Sequence, residues 1–337
     1  MRRGIVRAAL AAVLFGASTP FAHRLAEDTH AFTLAGLLYL GAALGVAPAL
    51  LRRPPGRASL RRGAVRLTTA VVLGGMAGPV LLMLGLQSTT AADASLLLNL
   101  ELAFTVLLAA TVFKEHGGRW VYAGAGLVVV AGAVLAGGGA DLRIGALLVA
   151  AACLCWAVDN GVTAALDELA PAHITVVKGL VAGTVNAAIG LVLAPPPSWS
   201  VVGAALLVGV LGYGLSITLW VAGARDLGSA RAQVVFATAP FVGVVLAWTV
   251  LGEPVAGLTV GALLLAAVGV ALVSRSDHGH RHLHPALLHD HEHTHDEGHH
   301  DHQHPDGFRG RHQHPHDHDN QEHSHPHLPD VHHRHDH

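Results

Sequence analysis

The chain has 337 residues, 52% hydrophobic and 13% charged, and its formal net charge of −2 is the sum of two opposite regions. Residues 1–276 carry 17 Lys/Arg against 11 Asp/Glu, whereas residues 277–337 carry four Arg, 12 Asp/Glu and 23 of the 27 His. No extended basic region remains that would indicate nucleic-acid binding. Cys153 and Cys155 both lie in one apolar run, which excludes a disulfide framework.

Ten apolar runs follow one another along residues 1–276, separated by short polar or Gly/Pro breaks. A run of roughly 20 mostly apolar residues is long enough to cross a bilayer as a helix. The basic start at Arg2 and Arg3 imitates a signal peptide, but apolar segments simply continue, so we expect an uncleaved first membrane helix. The predicted spans are 5–22, 31–51, 66–86, 92–113, 119–137, 144–166, 172–194, 201–222, 230–251 and 256–273.

The distribution of basic residues predicts that both termini are cytoplasmic, in a bacterial inner (plasma) membrane. The N-terminus is basic, the second loop has six Arg between positions 52 and 66, and the fourth loop has Lys114 and Arg119. The loop at 167–168 should also be cytoplasmic but lacks basic residues; the rule largely ignores acidic ones.

The chain also matches itself at an offset of 138 residues, which places Gly85 on Gly223, Leu102 on Pro240 and Glu115 on Glu253. Five helices in each half give the halves opposite orientations, an arrangement suited to alternating access. The predicted fold is therefore an all-α membrane protein with about ten transmembrane helices in two inverted five-helix repeats. The predicted domains are a first repeat at 1–137, a linker at 138–143, a second repeat at 144–276 and a disordered tail at 277–337.

Two segments carry a family resemblance. GLQSTTAADASLLLNLELAFTVLLAATVFKEH resembles the end of the first half of EamA-type transporters, in the drug/metabolite transporter superfamily, and VFATAPFVGVVLAWTVLGEP resembles the matching part of the second half. The resemblance covers about residues 5–275 and implies ten helices, cytoplasmic termini and movement of small metabolites, commonly outward. The sequence departs from the family at Leu102, where Pro is usual, although Pro240 is present in the second copy.

Polar side chains inside the apolar runs are costly and usually face a cavity or a partner. Asp159 and Lys178 fall at similar depths on neighbouring helices, which predicts an ion pair that belongs to a substrate site or only orients two helices. Glu101 lies near mid-membrane, where burial disfavours the charged carboxylate. Its predicted role is proton coupling or cation recognition, with a hydrogen-bonded packing residue as the alternative. The substrate or coupling candidates are Asn99, Glu101, Asp159, Asn160, Lys178 and Asn186.

Other polar residues lie nearer the ends of the runs. For Asp93 and Gln233 we expect solvation at the membrane interface, and for Glu115 and Glu253 a helix-capping or gate role. Asn99 lies two residues from Glu101, about 200° around a helix, so the two are not expected to share one direct ligand shell.

The tail alternates His with Asp/Glu, Pro and Gly, a composition that cannot bury enough apolar surface to fold alone. Neutral imidazole binds Zn, Ni, Co and Cu ions, and this binding should weaken below a pH of about 6, where His protonates. Metal is thus expected on the tail, and no other cofactor is required. The predicted metal ligands are His289, His291, His293, His295, His299, His300, His302, His304, His312, His314, His316 and His318.

These features predict a transporter that exports a small metabolite by alternating access and carries a metal-binding regulatory tail. The alternative is an efflux transporter for divalent Ni, Co or Zn, whose tail collects or senses the metal. An enzyme is not predicted, because the runs contain neither an HExxH motif nor paired His motifs. The expected partners are the lipid bilayer, a small solute and divalent metal ions; a homodimer is left open.

Overall fold

The structure is a computed structural model that divides into two compact units, described separately: residues 1–276 with 328–337, and residues 277–327. The residues whose placement it describes are 2–52, 63–111, 118–137, 140–164, 166, 169–227, 229–274, 278–284, 288–293, 312–317 and 321–327.

Ten helices of the first unit are long and apolar enough to cross a membrane. They lie within a few residues of the predicted spans, so the ten-helix prediction is confirmed. We number them α1 (Arg2–Ala26), α2 (Ala31–Arg52), α3 (Ala64–Leu86), α4 (Ala91–Leu97 and Leu100–Thr111), α5 (Arg119–Ala136), α6 (Ala140–Ala164), α7 (Pro171–Leu193), α8 (Trp199–Leu227), α9 (Ser229–Phe236 and Ala239–Thr249) and α10 (Gly257–Ser274).

Four of these helices are irregular, and the irregularities come in pairs. Helix α3 is π-helical over Ala70–Ala77, and α8 is π-helical over Gly209–Leu215. Helices α4 and α9 are each interrupted by two residues, before Leu100 and before Ala239. Both pairs recur at an offset of 139 residues (209 − 70 and 239 − 100), next to the offset found in the sequence. The same backbone irregularities therefore occur at matching places in the two halves.

Helix packing repeats in the same way. Helix α2 packs on α7, and α5 packs on α10. Helix α6 packs on α3 and α4, while its counterpart α1 packs on α8 and α9. Exchanging the halves maps each of these contacts onto itself or onto another of the set, so the helical unit has an approximate two-fold relation between its halves.

Small residues allow the closest helix approaches. A Cβ atom added at Gly41 of α2 would come within 2.3 Å of the Leu206 carbonyl oxygen on α8, and one at Gly179 of α7 within 2.6 Å of the Tyr39 carbonyl oxygen on α2. In a bilayer, where water does not drive helices together, such backbone proximity supplies the packing energy. Large apolar side chains such as Leu44, Leu147 and Leu264 stay exposed, as a lipid-facing surface requires.

The tail unit has two separate antiparallel strand pairs: β1 (His278–His284) pairs with β4 (Gln321–His327), and β2 (Leu288–His293) pairs with β3 (His312–Asp317). Their registers place His opposite His, for example His291 opposite His314. Two-stranded ladders are marginal in water, so disorder of the tail in solution stays a prediction. Of the predicted metal ligands, those at 295–304 and 318 lie outside the described residues.

Candidate transport site

The π-helical stretch of α3 holds two aromatic side chains of the site in place. The carbonyl oxygen of Gly74 accepts hydrogen bonds from the indole Nε1 of Trp156, at 3.1 Å, and from the hydroxyl of Tyr39. Asn186 donates from Nδ2 to the Met76 carbonyl oxygen at 3.3 Å. Asn186, a predicted site residue, is thus bonded to the α3 backbone, and the lining of the central cavity does not include it.

Asp159 of α6 lies directly against this stretch. A Cβ atom at Gly74 would come within 2.1 Å of its Oδ2 atom. Lys178 of α7 forms an ion pair with the same oxygen, and Thr163 donates to Oδ1 at 3.1 Å. The side chains of Asp159 and Lys178 are 6% and 3% exposed. The structure therefore brings these two predicted residues together, and each neutralises a charge that would otherwise be buried alone.

Glu101 lies two residues beyond the interruption of α4 and is buried. Its Oε1 atom accepts hydrogen bonds from Asn160 Nδ2 on α6, at 2.6 Å, and from Gln233 Nε2 on α9, at 3.1 Å. Within the described part of the chain, Oε2 makes no hydrogen bond. Glu101 therefore links three helices through one carboxylate oxygen and keeps the other oxygen for a further partner.

The prediction of interfacial solvation for Gln233 is wrong, because its side chain is buried and bonded to Glu101. The sequence did contain a signal for this role. At the repeat offset Gln233 matches Ser95 (233 − 138), in the segment that precedes the interruption of α4. Both residues are buried and precede the interruption of their helix, so Gln233 is expected to face the interior of the bundle.

Aromatic rings form most of the wall of the central cavity, which has about 50 Å³ of space for the centres of water-sized molecules. The ring of Phe15 contacts two others of this wall, with ring centroids 5.9 Å from Trp156 and 5.8 Å from Tyr213. A few waters fit this space, whereas a metabolite needs it to widen. The lining consists of Phe15, Tyr39, Glu101, Trp156, Asp159, Asn160, Lys178, Tyr213, Ile217, Trp220 and Phe236.

Among the described residues, three polar groups of this lining remain for a solute, and the Tyr213 hydroxyl is the first. The second is the Glu101 carboxyl group, and the third is the indole Nε1 of Trp220, a buried donor without a partner among the described residues. Asp159 is already neutralised by Lys178. The cavity thus offers a carboxylate acceptor, an indole donor and a phenolic hydroxyl inside an aromatic wall. Sequence reasoning missed the aromatic residues, because an aromatic ring in an apolar helix looks the same whether it faces core, lipid or cavity.

Asn99, the remaining central candidate, lies in the interruption of α4. It does not line the central cavity but a smaller one, which it shares with Glu101 and Gln233.

One end of the bundle is fastened by acidic side chains at helix starts. The carboxylate of Glu253, after α9, accepts from the backbone N–H of Ala91 at 2.7 Å and of Ala92 at 2.9 Å, where α4 begins. Asp93 Oδ1 accepts from the Thr259 hydroxyl of α10 at 2.7 Å. A carboxylate is favourable at a helix N-terminus. Glu253 thus caps a helix of the other half; Glu115 lies outside the described residues.

Two further ties are related by the repeat. Gln87 Nε2 donates to the carbonyl oxygens of Ala26, at 3.2 Å, and Thr29, at 3.4 Å. Arg225, 138 positions later, donates to the carbonyl oxygens of Leu166, at 3.0 Å, and Leu169, at 2.6 Å. Each side chain fastens the loop after the first helix of its own half. These ties lie at opposite ends of the bundle, where α3 and α8 finish.

Comparison with known proteins agrees with this architecture. The EamA-like transporter family matches residues 2–137 and 143–275. A protein of Methanothermobacter thermautotrophicus described as an uncharacterized transporter is 27% identical over 280 residues, which cover 75% of this chain and 81% of that protein. A crystal structure with 20% identity has a TM-score of 0.63 over 79% of this chain and 96% of the other, a likeness of fold. The resemblance noted in the sequence is thereby confirmed, and the chain belongs to the EamA-like transporter family, within the drug/metabolite transporter superfamily.

Proposed function

We propose that the protein exports a small organic metabolite by alternating access and that the solute binds in the cavity around Glu101. The observation that carries this proposal is the placement of the cavity between the halves. Phe15, Tyr39 and Glu101 line it from the first half, and α6 to α9 line it from the second. A site at the interface of two related halves is reached from either side when the halves rock against each other.

The chemistry of the lining favours a solute that carries an amine. Glu101 Oε2 accepts a hydrogen bond from an ammonium group, and the surrounding rings attract a cation through their faces. The Trp220 indole donates to a hydroxyl or carbonyl oxygen on the same solute. A transition metal prefers imidazole or thiolate ligands, and the lining supplies carboxylates, an amide and rings. These properties support metabolite export over metal efflux.

The Glu253 contact suggests how the two ends close in turn. The Glu253 carboxylate accepts from the backbone N–H groups of Ala91 and Ala92 at the start of α4, and we propose that this contact keeps its own end closed. For Glu115, its counterpart at the repeat offset, we propose the matching gate role at the opposite end. The distribution of basic residues supports a cytoplasmic N-terminus, which places the Glu253 end outside a bacterial plasma membrane.

The tail is proposed to bind divalent metal through its histidines on the cytoplasmic side and to regulate transport. Its dense His and Asp/Glu pattern supports metal binding, and the flexible spacing gives little selectivity among Zn, Ni, Co and Cu. Zn²⁺ titration calorimetry of the full chain and of a truncation after Ser276 tests this. Heat that disappears with the tail, and fades when the pH falls below about 6, is the expected result.

Transport in proteoliposomes tests the main proposal. Vesicles are loaded with a panel of labelled amines and amino acids, and efflux is followed with and without a proton gradient. Glu101→Gln keeps the shape of the side chain but removes its charge. Loss of one charged hydrogen bond should reduce efflux by about tenfold or more. The matched control is Glu27→Gln, the same change at an exposed residue.

Three results would contradict the proposal. Efflux of the active amine by Glu101→Gln at the wild-type rate would remove Glu101 from the site. Efflux of Ni²⁺, Co²⁺ or Zn²⁺ together with no efflux of any organic solute would favour the metal alternative. Labelling of a cysteine placed at Ser88 from the cytoplasmic side would overturn the proposed orientation.

A further inference from the structure

We propose that one ordered water molecule occupies the small cavity between the interruptions of α4 and α9, bound by Asn99 and Gln233. This water makes Asn99 a positioning residue for Glu101, through the carboxamide of Gln233. The proposal concerns the support of Glu101 and stands whichever solute the central cavity binds.

The small cavity lies where the two interrupted helices face each other. Leu98 and Asn99 of α4 line one side, and Ala237 and Pro240 of α9 line the other, with Glu101 and Gln233 beside them. It has about 10 Å³ of space for the centres of water-sized molecules. One water needs roughly this much, about 10–15 Å³, so any larger ligand is excluded.

The polar groups around the cavity specify what it holds. Asn99 is 2% exposed, and neither its Nδ2 nor its Oδ1 atom has a hydrogen-bond partner in the described part of the chain. Gln233 is 4% exposed, and its Oε1 atom is unpaired in the same sense. Leaving buried amide groups unpaired destabilises a fold, so a partner is expected for all three.

These three groups are one donor and two acceptors. A water molecule donates twice and accepts at least once, so a single water is able to satisfy the set. A metal cation would bind the two oxygens but leave the Asn99 Nδ2–H groups unpaired, and an anion would leave the oxygens unpaired. The donor and acceptor pattern therefore favours water over an ion of similar size.

Such a water fixes the orientation of Gln233. Its Nε2 atom donates to Glu101 Oε1 at 3.1 Å, so its Oε1 atom is on the other side of the carboxamide. In this orientation the Gln233 oxygen accepts from the water bound to Asn99. If the Gln233 amide flipped, it would lose this hydrogen bond and place its oxygen against the Glu101 carboxylate. Asn99 thereby positions Glu101 without contacting it. This arrangement explains why the side chains of Asn99, Gln233 and Glu101 all line so small a cavity.

Infrared difference spectroscopy on reconstituted protein tests the proposal. Exchange of H₂O for H₂¹⁸O should shift an O–H stretching band of a buried water in the wild type. Asn99→Leu, which keeps the branched shape without the amide, should lose that band and shift the carboxyl band of Glu101, identified by its absence in Glu101→Gln. The control is Ser95→Ala, which also changes a buried residue of α4. The Ser95 hydroxyl donates only to the Ala91 carbonyl oxygen of the same helix, so this variant should alter neither band.

A purely structural role for Asn99 would leave the Glu101 band in place, and that result would overturn the proposal. An isotope-sensitive band that persists in Asn99→Leu would do the same, as would stability of the wild type that depends on Na⁺. If Asn99→Leu does not fold, an experimental wild-type structure that resolves ordered waters decides the matter. Density within hydrogen-bonding distance of all three orphan atoms supports the proposal, and its absence overturns it.

Discussion

The two crossings over the π-helical stretches have matching backbones but different chemistry. Where α6 crosses α3, the Asp159 carboxylate lies against Gly74, 2.1 Å from the position of an added Cβ atom. Where α1 crosses α8, the Ser18 side chain lies against Gly212, with its Cβ atom 2.2 Å from the corresponding position. The two glycines are 138 residues apart, so the same close contact was kept in both halves.

The difference bears on the proposed transport site. Ser18 satisfies its hydroxyl within α1 by donating to the Phe15 carbonyl oxygen at 2.7 Å. Asp159 instead requires Lys178 and Thr163 as partners, and next to it Asn160 bonds to Glu101. Glycine at the crossing belongs to the shared fold, whereas the ionisable group belongs to one copy alone. The two halves thus share the close helix packing, and the residues that differ between them form the candidate site.

The largest effect is expected from breaking the Asp159–Lys178 pair. Lys178→Met leaves the Asp159 carboxylate buried without its partner, and Asp159→Asn leaves the Lys178 ammonium group in the same state. Either single variant should cost up to about 3–5 kcal/mol of stability. The double variant Asp159→Leu/Lys178→Met removes both charges and should recover much of the loss. Thermal unfolding in lipid nanodiscs measures this, with Ser18→Ala as the matched change at the other crossing.

Transport by the double variant separates the two roles left open for the pair. A stable double variant that still transports shows that the ion pair only orients α6 and α7. A stable double variant without transport assigns the pair to the site. Equal destabilisation of the single and double variants would contradict the coupling itself.

Hydropathy predicted the ten helices well, because backbone groups in hydrocarbon must be satisfied within a helix and long apolar runs have no alternative. Depth along the spans also predicted the meeting of Asp159 and Lys178. The rotation of each helix about its axis could not be predicted, since these helices are apolar on nearly every face. This is why Gln233 and the ring of Trp220 were missed, and why Asn186 was expected in the site.

A second prediction concerns the glycines at the two crossings. Gly74→Ala and Gly212→Ala both insert a methyl group into an occupied space, and each should cost about 1–3 kcal/mol through overpacking. Only Gly74→Ala also displaces the Asp159 carboxylate, so it should abolish transport at temperatures where the protein is still folded. Unfolding curves and transport are compared with Gly126→Ala, whose added Cβ atom meets no other atom within 4 Å.

Similar transport defects in Gly74→Ala and Gly212→Ala, at equal folded fraction, would show that the two crossings are equivalent in function. This result would contradict the proposal that both crossings serve packing and that only the crossing at Asp159 belongs to the transport site. Gly126→Ala should be neutral or slightly stabilising, because Ala favours a helix more than Gly does. A loss of stability in Gly126→Ala as large as in the other two would therefore show that the effect does not come from the crossings.

A third, smaller effect is expected at the end of the bundle. Glu253→Ala removes a carboxylate that caps α4 and should cost about 0.5–2 kcal/mol, the usual range for a helix cap. The end should also open more often, which increases the labelling rate of a cysteine placed at Ser88. Glu27→Ala, at the same end but exposed and paired within its own segment, is the control. An unchanged labelling rate in Glu253→Ala would show that the cap does not close this end.

The smallest effect is expected for the ion pair at the rim of the second crossing. Arg7 of α1 and Asp226 of α8 lie 2.7 Å apart, but their side chains are 42% and 33% exposed. Solvent therefore screens this pair, and Arg7→Ala should cost about 0–1 kcal/mol, less at high salt. Both pairs join a basic side chain to an Asp on a neighbouring helix, so the comparison with Lys178→Met mainly varies burial. A loss from Arg7→Ala as large as that from Lys178→Met would show that burial does not set the energy of these pairs.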